Sequence, residues 1–175
     1  MSTLFEEFLY FMSFVYRSRR VGLHGKEFDM FKIRTLVPNS DKDSFVTKET
    51  YTKYGRLLRR FKADEFLQFY NVLKGDMALF GWRPLEPRGM RVLPLDVRDK
   101  LFTTKPGVID IASLYFYDEE KMLAKSLDAH RDYWKIIVPQ KIALQFFYIE
   151  HRCWLLNLAL VYMVAKRMIK ELFNK

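Results

Sequence analysis

The longest apolar run in this chain is thirteen residues, Cys153 to Ala165 (CWLLNLALVYMVA), with Glu150-His151-Arg152 before it and Lys166-Arg167 after it. At about 1.5 Å per residue a helix over that run covers roughly 20 Å, whereas a bilayer crossing needs about 20 residues and 30 Å. The chain has to fold without a membrane span, so the run must be core or must lie along an apolar surface. A second run, FLYFMSFVY from Phe8 to Tyr16, is shorter still. Glu6 and Glu7 ahead of it exclude the basic start of a signal peptide. It leads into Arg17, Arg19 and Arg20, an order that suits a segment in a lipid headgroup region and equally a core segment followed by a solvated basic turn.

Thirty Lys and Arg against 21 Asp and Glu give the 175 residues a net charge of +9, and half the residues are hydrophobic, which excludes a disordered chain. A single cysteine, Cys153, excludes an internal disulfide and a multi-cysteine zinc site. Sixteen Phe, ten Tyr and three Trp beside that positive excess point to a partner both anionic and apolar. A membrane surface with lipid phosphates qualifies, and so do stackable nucleic-acid bases. No recognised nucleic-acid motif accompanies the charge, so nucleic acid is not expected as a partner.

The pattern is that of an α+β chain, mostly helical, with a short N-terminal β-hairpin. Residues 13–36 read as that hairpin, turning at Gly22-Leu23-His24-Gly25. Period two then places Phe28, Met30, Lys32 and Arg34 on one face of the second strand. Pro38 to Ser44 reads as loop. Residues 51–61 read as a helix with Arg56, Arg59 and Arg60 on one face. The next helix runs from Asp64 to Lys74 and stops at Gly75, a favoured residue just past a helix end. Val108 to Leu114 reads as a strand, 118–135 as helical, and 140–172 as one long helix or two, with Pro139 opening that element.

The densest polar constellation lies between Arg56 and Pro84. Asp64, Gln68 and Asn71 fall at i, i+4 and i+7 on one helix face beside the arginine-rich neighbour. This alignment lines a polar site or, alternatively, Asp64 and Glu65 merely complement a helix dipole in a first turn. Other patterns carry less. Gly22 to Lys26 lacks the phosphate-loop spacing, His24, His130 and His151 have no metal-ligand spacing, Ser113 has no nucleophile context, and Asp118-Glu119-Glu120 reads as a solvated helix start.

Taken in order, RRVGLHGKEFDMFKIRT (19–35), YGRLLRRFKADEFLQFYNVLKGDMALFGWRP (54–84), KPGVIDIASL (105–114) and the tail from Pro139 to Ile169 resemble the bacterial sugar transferases, the monotopic polyprenyl-phosphate phosphosugar transferases. The family pattern in the central block is an Arg-rich turn, Asp-Glu, Gln, Asn-Val-Leu-x-Gly-Asp-Met, then Gly-Pro-Arg-Pro, and Asn71 to Met77 matches without a change. The resemblance implies one domain over residues 1–175: a residual membrane-surface segment at 1–16, a catalytic core at 17–114 and a helical C-terminal part at 115–175. It implies transfer of a sugar 1-phosphate from a UDP-sugar to a polyprenyl phosphate at the cytoplasmic face of the bacterial inner membrane, with release of UMP and with Mg²⁺. The aspartate of the Asp-Glu pair becomes phosphorylated in that chemistry, which falls on Asp64, with Glu65 as the metal-side partner. Lys32, Arg34, Arg56, Arg59, Arg60, Gln68, Asn71, Asp76 and Arg83 are then substrate-binding candidates, and Arg17 to Arg20 with Lys166 and Arg167 would face lipid headgroups.

Physical chemistry supports such a division of labour. An aspartate with a reference pKa of about 3.9 is ionised at neutral pH and needs no base, but it must approach a diphosphate that is itself negative. Guanidinium groups and Mg²⁺ supply the compensating charge. The departures are Phe66-Leu67 for Leu-Pro, Trp82 for the first Pro of Gly-Pro-Arg-Pro, Ile111 after Asp110 where one branch has Pro, Tyr117 for an Arg, and Gln145 and Asn157 where acidic residues are usual. Most of the family's N-terminal re-entrant helix is expected to be missing, since the matching region starts near residue 13. These departures leave a second reading, a catalytically weakened relative that binds nucleotide-sugar or lipid phosphate.

Overall fold

A computed structural model describes residues 14–36, 52, 54–124 and 126–173. Alternation in the first segment produces the expected hairpin: β1 (Val15–Val21) pairs antiparallel with β2 (Glu27–Ile33), Tyr16 opposite Lys32, Ser18 opposite Met30 and Arg20 opposite Phe28. A 3₁₀ turn at Leu23–Gly25 joins them, with His24 and Gly25 both left-handed. Phe28 and Met30 are buried on the inner face with Met77. On the outer face Arg19 pairs with Glu27 and Asp29, an exposed cross-strand arrangement worth little to stability. The loop expected at Pro38 to Ser44 and most of the segment expected at 1–16 lie outside the described residues.

Helix α1 (Gly55–Arg60) carries the three arginines, and a 3₁₀ turn at Ala63–Glu65 reverses the chain into α2 (Gln68–Lys74). The single helix expected over Asp64 to Lys74 is thus a turn followed by a helix, and it ends as expected with Gly75 at φ 86°. Asn71 staples α2 to the hairpin. Its Oδ1 accepts from the Phe31 amide at 3.1 Å and its Nδ2 donates to the Asp29 carbonyl at 2.7 Å.

Beyond it β3 (Ala78–Phe80) runs parallel to β4 (Gly107–Ile109), and the pairing continues through a bridge between Trp82 and Pro106. Gly81 and Gly107 are required here, because a Cβ on Gly107 would sit 2.0 Å from the Gly81 nitrogen. Between these strands lie α3 (Pro87–Arg91) and α4 (Leu95–Leu101). Val21, Trp82, Met90, Leu93 and Leu101 form the main core, covered by Ile142, Phe146 and Ile149.

The strand expected over Val108 to Leu114 ends after Ile109. Asp110 caps α5 (Ile111–Tyr115) by accepting from the Ser113 amide at 2.6 Å, which converts the rest of the run to helix. The helical stretch expected at 118–135 is broken into α6 (Glu119–Leu123), α7 (Ala129–Asp132) and a π turn at Tyr133–Ile137. Two helices follow, α8 (Val138–His151) with Pro139 in its first turn and α9 (Trp154–Phe173). Tyr148 donates to Asn157 across the break at 2.9 Å. Among the described residues no helix is long and apolar enough to cross a membrane.

Candidate active site

The site starts from a strained corner. Lys62, just before the Asp-Glu pair, is held at φ 54°, a left-handed conformation that costs a side-chain-bearing residue about 1–2 kcal/mol. The corner is closed by the Glu65 amide donating to the Lys62 carbonyl at 3.1 Å, and it turns Asp64 inward. Asp64 is buried and its Oδ1 has no hydrogen-bond partner. Asp64 and Glu65 do stand in the first turn of this short 3₁₀ helix, as the dipole-complementing alternative has it, but a solvated first-turn role does not account for the burial of Asp64. Burial raises its pKa, with the neighbouring Glu65 charge adding to the rise and Lys32, Arg59 and Lys62 opposing it.

Glu65 is in the opposite state. Its Oε1 accepts from Arg83 Nη2 at 2.7 Å and from Lys32 Nζ at 3.2 Å, while Oε2 accepts from Arg83 Nη1 at 3.2 Å. Burial alone would raise its pKa, yet Arg83 and Lys32 overcome that effect and hold the carboxyl far below the usual range. The same Glu65 charge raises Arg83, whereas Lys32 is lowered by burial that Glu65 only partly offsets. Two adjacent carboxylates thus divide into one buried with an open oxygen and one locked between two cations. Arg83 is aimed by the strand pair beneath it, since Trp82 is fully buried and its Nε1 donates to the Thr104 carbonyl at 3.0 Å. Trp82, a departure from the family pattern, is therefore a core anchor for the arginine that follows it. Asp110 completes the wall, its Oδ2 buried without a hydrogen-bond partner and 3.8 Å from Arg83 Nη1.

These groups open on a cleft of about 860 Å³ lined by eight Lys or Arg and six Asp or Glu. Of the candidates read from the sequence, Lys32, Arg56, Arg59, Arg60, Asp64, Glu65 and Arg83 come together here. Arg34, Gln68, Asn71 and Asp76 do not. Arg34 lies over the Tyr16 ring, Gln68 and Asn71 are buried under α2, and Asp76 pairs with Lys74 at 3.1 Å. Their polarity reads as site chemistry in a sequence, but in the fold Asn71 ties helix to strand, and the other three lie away from the cleft.

Of the arginines expected at headgroups, Arg20 and Arg167 are turned to other partners, while Arg17 and Arg19 stay 67% and 57% exposed. Arg17 and Arg19 reach Asp29, and Arg20 pairs with Glu86 at 3.1 Å and lines the cleft. Arg167 lies 4.0 Å over the Tyr117 ring and donates to Asp118 at 2.6 Å, so Asp118, which stands at the expected helix start before α6, also anchors α9. Arg20, Lys62 and Asp110 line the cleft, and none of them stands out in the sequence as a residue of this site. The hairpin register separates Arg20 from Arg19 and could have found it, whereas Arg167 depends on a contact 49 residues away. Gln145 is buried at the cleft wall.

As to a divalent cation, no group of three or more His, Cys, Asp or Glu forms a cage among the described residues. Both Glu65 oxygens are engaged, and the open buried carboxylate oxygens are Asp64 Oδ1 and Asp110 Oδ2. Mg²⁺ is commonly held by one or two carboxylates together with substrate phosphates. That donor set fits an ion arriving with a diphosphate, with Asp110 Oδ2, which has no hydrogen bond and lies 3.8 Å from Arg83, the less engaged carboxylate oxygen. Glu65 would first have to give up Arg83 or Lys32.

A family model described as bacterial sugar transferase matches residues 9–171. The chain belongs to that family. It is 40% identical over 103 residues to the uncharacterized sugar transferase EpsL of Bacillus subtilis, covering 57% of this chain and 50% of that protein. It is 38% identical over 77 residues to a putative undecaprenyl-phosphate N-acetylgalactosaminyl 1-phosphate transferase of the same organism, covering 42% of this chain and 43% of that protein. An undecaprenyl-phosphate galactose phosphotransferase of Salmonella typhimurium is 34% identical over 113 residues, covering 54% of this chain and 24% of that protein. The chain thus matches half or less of the length of these relatives.

Proposed function

We propose that this sugar transferase family member moves a sugar 1-phosphate from a UDP-sugar to a polyprenyl phosphate with Asp64 as the nucleophile. The observation that carries the reading is the Asp64 carboxylate, buried at the wall of a cation-lined cleft with one oxygen left without a partner. An unpaired buried carboxylate is costly and is retained where chemistry uses it. In the first half-reaction an Asp64 oxygen forms a bond to the sugar-bearing phosphorus. The bridging P–O bond breaks, and UMP leaves with the electron pair. In the second, an oxygen of the lipid phosphate attacks the same phosphorus and returns Asp64 as a carboxylate.

Arg56, Arg59 and Arg60 line the wall where a diphosphate would lie, and guanidinium groups stabilise charge that grows on equatorial oxygens during phosphoryl transfer. Glu65 acts by holding Arg83 and Lys32 in place. Mg²⁺, held by Asp110 and substrate phosphates, would neutralise further charge on the diphosphate. Membrane attachment at the cytoplasmic face is part of the reading. The α9 side chains Leu155, Leu158, Tyr162, Ile169 and Leu172 are exposed beside Lys166 and Lys170, as expected for a helix lying in a headgroup region.

The test is to incubate the protein with UDP-sugars and Mg²⁺ without lipid. A phosphosugar adduct on the peptide containing Asp64, with one UMP released per adduct, is expected. If no UDP-sugar gives an adduct with the folded protein, or Asp64→Asn keeps full transferase activity, the nucleophile assignment falls and the binding-module reading replaces it.

A further inference from the structure

Beside the charged cleft lies a second cavity of about 390 Å³ with an almost wholly apolar lining, within the roughly 300–1,000 Å³ range of ligand sites. Phe66 and Phe69 from the α2 region, Val108 and Leu114 below, and Val164 and Met168 from α9 supply its walls. The two cavities share a boundary, because Lys62, Glu65, Arg83, Asp110, Ser113 and Tyr117 line both. At its other edge the groove opens on side chains that already face outward, with Phe66 67%, Phe69 43% and Met168 43% exposed. A ligand lying across that boundary would have a polar head in the cleft and an apolar tail leaving the protein between α2 and α9.

We infer that this groove seats the first isoprene units of the acceptor lipid, with the lipid phosphate beside Lys62 at the boundary and the remaining chain running out into the bilayer. The inference rests on the transferase reading above and extends it by assigning the two substrates to different cavities. Charge complementarity selects the occupant. An uncharged hydrocarbon would gain nothing from the Lys62 ammonium at the boundary, and a nucleotide would set its polar groups against Phe66, Phe69, Val164 and Met168. Apolar contact over the first few units also accounts for a groove open at one end, since the acceptor chain is longer than any cavity in the fold. The geometry separates two demands. The cleft positions a diphosphate next to Asp64, and the groove fixes the approach of the second phosphate.

The test uses the full chain in detergent micelles with undecaprenyl phosphate and, separately, phosphatidic acid as probes. Binding is read by competition and transfer by the KM for each substrate. Phe69→Glu and Met168→Glu each place a charge in the groove at a partly exposed position that can fold. Each is expected to weaken undecaprenyl phosphate binding and raise its KM about ten-fold or more, while the KM for the UDP-sugar changes by less than about two-fold. Met168→Leu should restore wild-type behaviour, and Leu127→Glu, at an exposed site lining neither cavity, should match wild type.

Undecaprenyl phosphate binding unchanged in both glutamate variants overturns the groove assignment. Phosphatidic acid binding as tightly as undecaprenyl phosphate, and weakened equally by the variants, overturns it in favour of a bilayer lipid. Groove-dependent lipid binding by a wild-type protein that releases no UMP from any UDP-sugar leaves the groove standing and removes the transferase reading.

Discussion

The hairpin-to-α4 region and the α2–α9 region solve the problem of burial in opposite ways. In the first, Val21, Trp82, Met90, Leu93 and Leu101 point inward and form an apolar core. In the second, Asp64, Gln68 and Asn71 are the buried residues, while Phe66, Tyr70 and Leu73 on the same stretch are 67%, 58% and 87% exposed. Helix α9 continues the inversion. Leu160 is fully buried and Arg167 and Glu171 turn inward to Asp118 and Arg60, while most of its large apolar side chains face out. Water alone does not stabilise such an arrangement, since exposed apolar patches of this kind mark an interaction surface. Conventional packing in one half supports a half whose polar side chains turn inward and whose apolar side chains face outward.

The sharpest break of this comparison is at Asp64. Asp64→Asn is expected, on the proposed function, to lower transferase turnover by about six orders of magnitude, the scale of losing a nucleophile, and yet to raise the melting temperature. The sign follows from its raised pKa: the folded state prefers the neutral carboxyl, so it bears a cost above that pKa, and the cost is relieved as pH falls through it. Activity moves the other way and is lost as the carboxyl takes its proton. A pH series measuring kcat and melting temperature in parallel checks this. Loss of both together on acidification, with Asp64→Asn less stable than wild type, contradicts it.

Next come two changes of stability. Trp82→Ala empties the centre of the conventional core and should cost about 3–5 kcal/mol by denaturant unfolding. Glu65→Gln removes the carboxylate between Arg83 and Lys32 and should cost about 3 kcal/mol, because two cations are left without their partner. Glu65 has a depressed pKa, so its contribution is complete above its unfolded value of 4.5 and fades only as pH falls below that. Wild type and Glu65→Gln should therefore converge in stability on acidification from pH 5, and a constant difference down to pH 3 would show that the ion pair is not its source.

The two halves were not equally legible. The hairpin and its register follow from period two and a glycine-bearing turn, and the end of α2 follows from Gly75, all of which are local signals. The Asp64–Gln68–Asn71 face was also legible as a face, but its roles were not. Asn71 is bonded to a backbone amide 40 residues away, and a sequence does not say whether an inward amide meets a substrate or a strand. Likewise, Val108 to Leu114 has the composition of a strand throughout, and only the Asp110 cap, once β4 is paired and ended, makes its second half helical. Arg167 could not be found at all from spacing, because its place over Tyr117 depends on how α9 returns to the core.

The smallest expected effect on stability tests the inversion most directly. Leu73 is the most exposed large apolar residue of α2, so Leu73→Ser should change unfolding free energy by less than about 0.5 kcal/mol in detergent-free buffer. If the outward face of α2 lies against acyl chains, the same substitution removes apolar contact there, and removing about 1–2 kcal/mol of it should weaken partition into anionic vesicles roughly five- to thirty-fold. Leu101→Ser reverses the pattern, since Leu101 is fully buried in the conventional core and its loss should show in unfolding and not in the partition of the protein that remains folded. Equal vesicle partition of Leu73→Ser and wild type would mean that the exposed face of α2 turns away from the bilayer, and α9 would then carry the attachment alone.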